Sequence, residues 1–142
     1  MFLLDTNVIS ELRKIPLARA DLHVERWAKI TQAADLFISV ITVEELEIGV
    51  RLALRQNADQ GAVLQRWLHH YVLPGFRGRI LVIDTAVALR SAALHVPNPR
   101  PIRDALIAAT AGVHHMQVVT RNVADFASTG VSVMNPWNPD VS

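Results

Sequence analysis

The chain contains no cysteine among its 142 residues. That absence excludes disulfide bonds, zinc–thiolate sites and cysteine nucleophiles, and it fits a reducing compartment. A long hydrophobic run is also missing, because Ser39 and Thr42 interrupt the most apolar stretch, residues 36–43. This stretch is far shorter than the roughly 20 residues that span a bilayer. No basic segment precedes Asp5, so we predict no signal peptide, no membrane association and a cytoplasmic location.

Several catalytic motifs are missing as well. The sequence has no Gly-rich phosphate loop and no Gly-x-Ser-x-Gly element, which disfavours nucleotide-binding and serine-hydrolase functions. Its histidine pairs, His69-His70 and His114-His115, are adjacent residues that point about 100° apart on a helix, so they do not chelate a metal together. The net charge is only +1 and therefore does not by itself predict nucleic-acid binding.

What the sequence does contain is a regular alternation of short apolar segments and helical patterns. Half of the residues are apolar, which is enough for a folded core at this length. The predicted strands are residues 2–4, 36–40, 80–83, 117–120 and 131–133. The predicted helices are residues 8–13, 21–34, 42–55, 59–71, 84–95 and 102–115. This alternation predicts one α/β domain, residues 1–142, whose mostly parallel central sheet is flanked by helices.

Four acidic residues fall near predicted strand ends or helix starts. Asp5 follows the first strand, and Glu45 lies in the first turn of a helix predicted to begin at Thr42. Asp104 opens the alanine-rich helix, and Asp125 follows the fourth strand. Ligands bind at the carboxyl edge of an open parallel sheet. Crowded carboxylates repel unless a cation is present, and oxygen ligands suit Mg²⁺ or Mn²⁺, so this edge is a candidate metal site.

Each acid also has a purely structural interpretation. Asp5 and Asp125 are suitable capping residues, and Glu45 completes a capping-box pattern with the threonine three residues before it. Asp104 would stabilise its helix through the macrodipole. Asp84 likewise follows a strand and opens a helix, so position relative to a strand does not by itself distinguish a ligand from a cap.

Five sequence blocks favour metal binding over helix capping for these acids, because together they resemble PIN-domain proteins, especially VapC-type toxins of the FitB branch. The blocks are residues 3–11, 39–49, 103–111, 119–126 and 135–137. They occur in the family's order and extend over nearly the whole chain. The resemblance implies a PIN fold and a metal-dependent endoribonuclease that leaves 5′-phosphate and 3′-hydroxyl ends.

The same resemblance implies that the protein is the toxin of a type II toxin–antitoxin pair. Its expected partners are an RNA substrate, a DNA-binding antitoxin of the VapB/FitA kind and a second copy of the chain. The apolar helical surface between residues 42 and 71 is the expected site of the homodimer interface and the antitoxin groove. Two alternatives are a weakly active or inactive PIN module that acts as corepressor with its antitoxin, and a nuclease directed at DNA.

The resemblance also assigns site residues. The metal-binding and catalytic acids carried over are Asp5, Glu45 rather than Glu44, and Asp104. The fourth acid is ambiguous, since Asn122 stands where some relatives have Asp and Asp125 follows three residues later. We choose Asp125 as the fourth Mg²⁺ or Mn²⁺ ligand, with Asn122 as a neutral ligand or water-holding neighbour.

Three accessory residues flank these acids. Thr6 and Thr120 either hydrogen-bond a ligand or metal-bound water, or serve as local caps. Arg121 either meets a phosphate or forms a salt bridge within the site.

Overall fold

A computed structural model describes residues 1–139; residues 140–142, which end the predicted domain, lie outside the described part. Its strands form one parallel sheet with the order β3-β2-β1-β4-β5. They are β1 (Phe2–Leu4), β2 (Leu36–Ser39), β3 (Ile80–Leu81), β4 (Gln117–Val119) and β5 (Val133–Met134). The predicted α/β class with a parallel central sheet is therefore confirmed.

Helices surround the sheet on both faces. They are α1 (Thr6–Leu12), α2 (Leu22–Ile30), α3 (Val40–Gln56), α4 (Ala58–Trp67), α5 (Leu73–Gly75), α6 (Thr85–Leu94), α7 (Ile102–Val113) and α8 (Val123–Phe126). A π-helical segment, Leu68–Val72, connects α4 to α5. Within residues 1–139 no helix has the length and apolar character needed to cross a bilayer.

Successive residues of β1 point into different hydrophobic layers, as strand geometry requires. Leu4 and its neighbour Val119 pack on the side of α1, α2 and α3. Leu3 and its neighbour Val118 pack on the side of α7 and α8. All four side chains are fully buried, so the central strands are covered on both faces and only their ends are open to ligands.

The start of α3 differs from the prediction. Ser39 is its N-cap and accepts a hydrogen bond from the backbone N–H of Ile41 at 3.0 Å. Thr42 is a buried residue inside the helix, so the predicted capping box of Thr42 and Glu45 is wrong. Because Ser39 already caps the helix, Glu45 lies in its second turn with a carboxylate that can bond elsewhere.

Three other predicted boundaries also shift. The strand predicted over residues 80–83 pairs only at Ile80–Leu81, because its single neighbour β2 ends at Ser39. The last strand pairs at Val133–Met134 rather than residues 131–133. Helix α2 ends at Ile30 instead of residue 34, since a separate 3₁₀ turn begins three residues later.

The order of the strands creates a crevice in the middle of the sheet. The chain passes from β1 to β2 and β3 on one side, and then places β4 and β5 on the other side of β1. The switch point therefore lies between β1 and β4, where the backbone N–H of Asp5 donates to the carbonyl of Val119 at 2.9 Å. Switch points of this kind are where open α/β sheets bind ligands.

Candidate active site

Asp5 lies at this switch point with only 7% of its surface exposed. Its Oδ1 caps α1 by accepting from the backbone N–H of Thr6 at 2.8 Å. Its Oδ2 accepts from the Thr120 hydroxyl at 2.8 Å and from Asn7 Nδ2 at 3.3 Å. The carboxylate is thus held at both oxygens, and capping occupies only one of them.

Asn7 is a site residue that the sequence analysis missed. Besides its bond to Asp5, its Nδ2 lies 3.4 Å from the Thr120 hydroxyl, and its Oδ1 accepts from the backbone N–H of Arg121 at 3.2 Å. These contacts join α1 to the loop after β4. The one signal in the sequence was the adjacency of Asn7 to the Asp5-Thr6 pair, because its partners lie more than 100 residues away.

Glu45 faces α1 and accepts a hydrogen bond from the Thr6 hydroxyl at 2.7 Å. The neighbouring Glu44 is exposed and pairs instead with Arg103 Nε at 3.4 Å. The helix therefore separates the two glutamates, and the one carried over from the family pattern is the one near Asp5. The Thr6 and Thr120 hydroxyls both donate to acids of the site, and the Thr120 hydroxyl also caps its own turn by accepting from the backbone N–H of Asn122 at 3.0 Å.

Asp104 lies half-buried in the first turn of α7. Burial, followed by the negative charges of Asp125, Asp5 and Glu45 in that order of size, together raise its pKa from 3.8 to about 6. The helix macrodipole alone would favour the charged form and lower the pKa. Since the pKa is raised, desolvation and crowding outweigh the macrodipole, and the four predicted acids share one electrostatic environment.

The loop after β4 places the two candidates for the fourth ligand differently. Asp125 is exposed in α8, and its charge is the largest electrostatic influence on Asp104. Asn122 occupies the N-cap position of α8 but makes no side-chain capping bond. Both lie at the open rim of the crevice, so their assignment as ligand and neighbour stays a prediction.

Arg121 is exposed at the same rim, with its guanidinium 5.3 Å above the ring of Trp137. Within the described residues it forms no ion pair, so the predicted alternative of a salt bridge inside the site is not seen. Cation–π contact holds the guanidinium in place without neutralising its charge.

The donor set fits a hydrated divalent cation. Among residues 1–139 no three acidic or histidine side chains converge into a complete metal cage. Mg²⁺ typically retains several waters and takes only one or two protein carboxylates directly, so a partial cage is sufficient for it. The mutual repulsion felt at Asp104 is the electrostatic condition that a bound cation would relieve.

Comparison with known proteins shows to which family the chain belongs. The family model described as "PIN domain" matches residues 2–131. The chain belongs to the PIN domain family. It is 42% identical over 144 residues to Toxin FitB from Neisseria gonorrhoeae, an alignment covering 97% of this chain and 99% of the relative. It is 36% identical over 144 residues to VapC ribonuclease Y4jK from Sinorhizobium fredii, covering 98% and 99%.

The fold of this PIN domain also matches a solved structure. Against FitAB bound to an IR36 DNA fragment the TM-score is 0.84 at 39% identity, covering 97% of this chain and 96% of that chain. These relatives confirm the resemblance seen in the five sequence blocks. The corepressor alternative is not favoured, because a relative matched over nearly its whole length carries the name ribonuclease.

Proposed function

We propose that this PIN domain, formed by residues 1–142 as a single unit, is a metal-dependent endoribonuclease and the toxin of a type II toxin–antitoxin pair. The observation that carries the proposal is the electrostatic influence of three acids, Asp125, Asp5 and Glu45, on Asp104 at the switch point of the sheet. Membership of the PIN family, a relative named Toxin FitB and another named ribonuclease support it.

In this proposal Asp5, Glu45, Asp104 and Asp125 would hold Mg²⁺ or Mn²⁺ through carboxylate oxygens, directly or through water. When bound, such an ion would supply Lewis-acid activation of the phosphodiester and the attacking water, and charge neutralisation of the leaving oxygen. Asn122 serves as a neutral ligand or holds one of the waters. The substrate is RNA, and the products carry 5′-phosphate and 3′-hydroxyl ends.

The residues around the acids orient them and the substrate. The hydroxyls of Thr120 and Thr6 each donate to one carboxylate oxygen, which fixes Asp5 and Glu45 while leaving lone pairs for a cation and its waters. Arg121 is exposed and forms no ion pair with any other residue of the range 1–139, so its guanidinium is available to bind a substrate phosphate beside the acids. Trp137 holds that guanidinium at the rim.

The test is cleavage by purified protein after removal of metal with EDTA. We expect cleavage of single-stranded RNA that returns with added Mg²⁺ or Mn²⁺ and disappears in Asp5→Ala. Cleavage that persists in Asp5→Ala would refute the site assignment, and cleavage that needs no metal would refute the mechanism. Preference for single-stranded DNA of the same sequence would identify a DNA-directed nuclease instead.

We also propose that an antitoxin of the VapB/FitA kind silences the toxin from an apolar groove of about 510 Å³. The groove is lined by Ile9, Leu12, Arg13, Pro16, Trp67, Tyr71, Val72 and Phe76. Helix α1 forms one wall, has seven residues and spans about 10 Å, and its amino end lies at the acids. A segment that continues from the groove along α1 for about 10 Å would reach the acids and could present an Arg to them.

The groove can be tested with the antitoxin encoded by the adjacent reading frame. Tyr71→Glu places a charge in the apolar groove and is expected to leave RNA cleavage intact while abolishing inhibition. Val63→Glu is the matched control, since Val63 is a similarly exposed apolar residue of α4 that does not line the groove. Equal inhibition of both variants would contradict this location.

Homodimer formation is a further proposal. Helix α3 exposes Ile48 and Leu52, with 58% of Leu52 open to solvent. Light scattering after gel filtration should give a dimer for wild type and for Leu22→Asp, and a monomer for Leu52→Asp. A monomeric wild type would contradict the proposal.

A further inference from the structure

Arg100, in the loop between α6 and α7, connects three segments through backbone carbonyls. Its Nε donates to the carbonyl of Leu94 at 2.9 Å, and its Nη1 donates to that of Ala127 at 3.2 Å. Its Nη2 donates to the carbonyl and hydroxyl of Ser128 at 3.3 and 2.8 Å. Its own backbone N–H donates to His95 Nδ1 at 3.2 Å. Each guanidinium nitrogen therefore has a partner.

The segments joined by Arg100 are those that carry two of the acids. Arg100 lies four residues before Asp104, while Ala127 and Ser128 directly follow the α8 turn that holds Asp125. We propose that Arg100 is a positioning residue that fixes the separation of Asp104 and Asp125 for binding a divalent cation. This inference rests on the proposed function, because it assumes that the two acids serve one metal site.

Electrostatics explains why such a connection is needed. Asp104 and Asp125 are like charges on α7 and α8, two helices that contact each other, so their carboxylates repel. Phe126 anchors α8 in the core, but α8 is only four residues long and one buried side chain does not fix its orientation. Ser128 also adopts φ 63°, a left-handed conformation that needs support from its surroundings. The bonds from Arg100 supply that support.

A second arginine provides a matched control. Arg79 also donates to backbone carbonyls of separate segments, those of Ala33, Leu36 and Gly75. It precedes β3 and contacts the start of β2, so it lies at the amino edge of the sheet, opposite the acids. Its removal deletes a comparable set of hydrogen bonds without touching the loops that carry Asp104 and Asp125.

The experiment measures Mn²⁺ binding by calorimetry on EDTA-stripped wild type, Arg100→Ala, Arg100→Lys and Arg79→Ala, with thermal unfolding of each. We expect Arg100→Ala to weaken Mn²⁺ binding about 10-fold, the low end of the effect of losing an outer-shell partner, because Arg100 acts on the acids through the backbone of their loops. Arg100→Lys should recover little, because a single ammonium group does not replace a planar fork that serves two loops. Arg79→Ala should lower the Tm similarly while its Mn²⁺ Kd stays within about twofold of wild type.

Kinetics separate positioning from general destabilisation. At saturating Mn²⁺, Arg100→Ala should lower kcat for RNA cleavage with little change in KM, because the acids and not the substrate contacts are displaced. If Arg100→Ala does not fold, Arg100→Gln replaces it in every measurement. Unchanged Mn²⁺ affinity in the Arg100 variants, or an equal loss in Arg79→Ala, would overturn the inference.

The inference and the proposed function can fail separately. If wild type binds Mn²⁺ but cuts no RNA, and Arg100→Ala binds Mn²⁺ more weakly, the nuclease proposal is refuted and the positioning role of Arg100 is supported. If wild type cuts RNA and Arg100→Ala keeps the Mn²⁺ affinity of wild type, the nuclease proposal is supported and the positioning role is refuted. A wild type that binds no Mn²⁺ would overturn both.

Discussion

Two strand-to-helix junctions in this molecule share an Asp-Thr pair and differ in the side chains that surround it. At the β1–α1 junction a strand is followed by Asp5-Thr6, and at the β3–α6 junction a strand is followed by Asp84-Thr85. Both aspartates cap the next helix. Asp5 is nearly buried and accepts from two further groups, the Thr120 hydroxyl and Asn7 Nδ2. Asp84 is exposed and accepts only a capping bond among the described residues, from Val87 N–H at 2.9 Å.

Sheet position accounts for the difference. β1 has a parallel neighbour on each side, so the elements that follow those neighbours bring Thr120 and Glu45 to Asp5 or its helix. Within residues 1–139, β3 is an edge strand with β2 as its one neighbour. The same Asp-Thr pair is therefore a candidate ligand site at the centre of the sheet and a helix cap at its edge.

The strongest test of this comparison removes the negative charge of the aspartate at each junction. Asp5→Asn should lower metal-dependent RNA cleavage by about 100-fold or more, since several kcal/mol of transition-state stabilisation depend on the bound ion and 1.36 kcal/mol is tenfold in rate. Asp84→Asn should cleave like wild type. Similar rate losses in the two variants would break the comparison.

The second prediction concerns a single hydroxyl at the central junction, that of Thr120. Thr120→Val keeps the shape but loses the bond to Asp5 Oδ2, and we expect a loss of about 10- to 100-fold in activity or metal affinity. Thr120→Ser should restore most of it, and Thr85→Val at the edge junction should have no effect on rate. Initial cleavage rates across a Mn²⁺ titration measure these effects.

The third prediction concerns α8, which contributes to the central junction and has no counterpart at the edge. Asp125→Asn should reduce activity about tenfold and weaken Mn²⁺ binding, because it removes one anionic ligand or water-holding group. Asn122→Ala should have a smaller effect. The reverse order would make Asn122 the more important of the two.

The fourth prediction follows from the raised pKa of Asp104, about 6. Cleavage should fall as the pH drops below about 6, because a protonated Asp104 no longer attracts a cation. In EDTA the stabilising effect of a raised folded-state pKa is present below the ordinary value of 3.8 and is lost as the pH rises through about 6. As the pH rises from 3.8 to about 6, the free energy of unfolding of metal-free wild type should therefore fall relative to that of Asp104→Asn, as measured by urea unfolding. A constant difference between the two proteins would contradict the crowding of charges at Asp104.

The smallest expected effect is at the edge junction. Asp84→Ala removes an N-cap and should lower the free energy of unfolding by about 1 kcal/mol without changing the cleavage rate. Chemical denaturation and the RNase assay on the same preparation measure both quantities. A rate change beyond the loss of folded protein would assign Asp84 a role that its exposed position does not suggest.

Much of this architecture follows from patterns in the sequence. Short apolar runs predict the strands and helical spacing predicts the helices, because strands covered on both faces and the inner faces of helices need apolar residues. The five family blocks predict the PIN fold. Boundaries were less predictable. Two residues near the start of α3 could cap it, and Ser39 rather than Thr42 does so because the helix begins where β2 ends.

The sequence by itself determined the order of elements and the acids that stand near strand ends. Only the tertiary structure decided that Asp5 faces Thr120 and Asn7, that Glu45 rather than Glu44 turns toward Thr6, and that Arg100 joins two acid-bearing loops. The reason is that local spacing fixes which way a side chain points along its own element. Which strands become neighbours depends on burial of the whole chain, and partners as far apart as Asp5 and Thr120 are set by that arrangement alone.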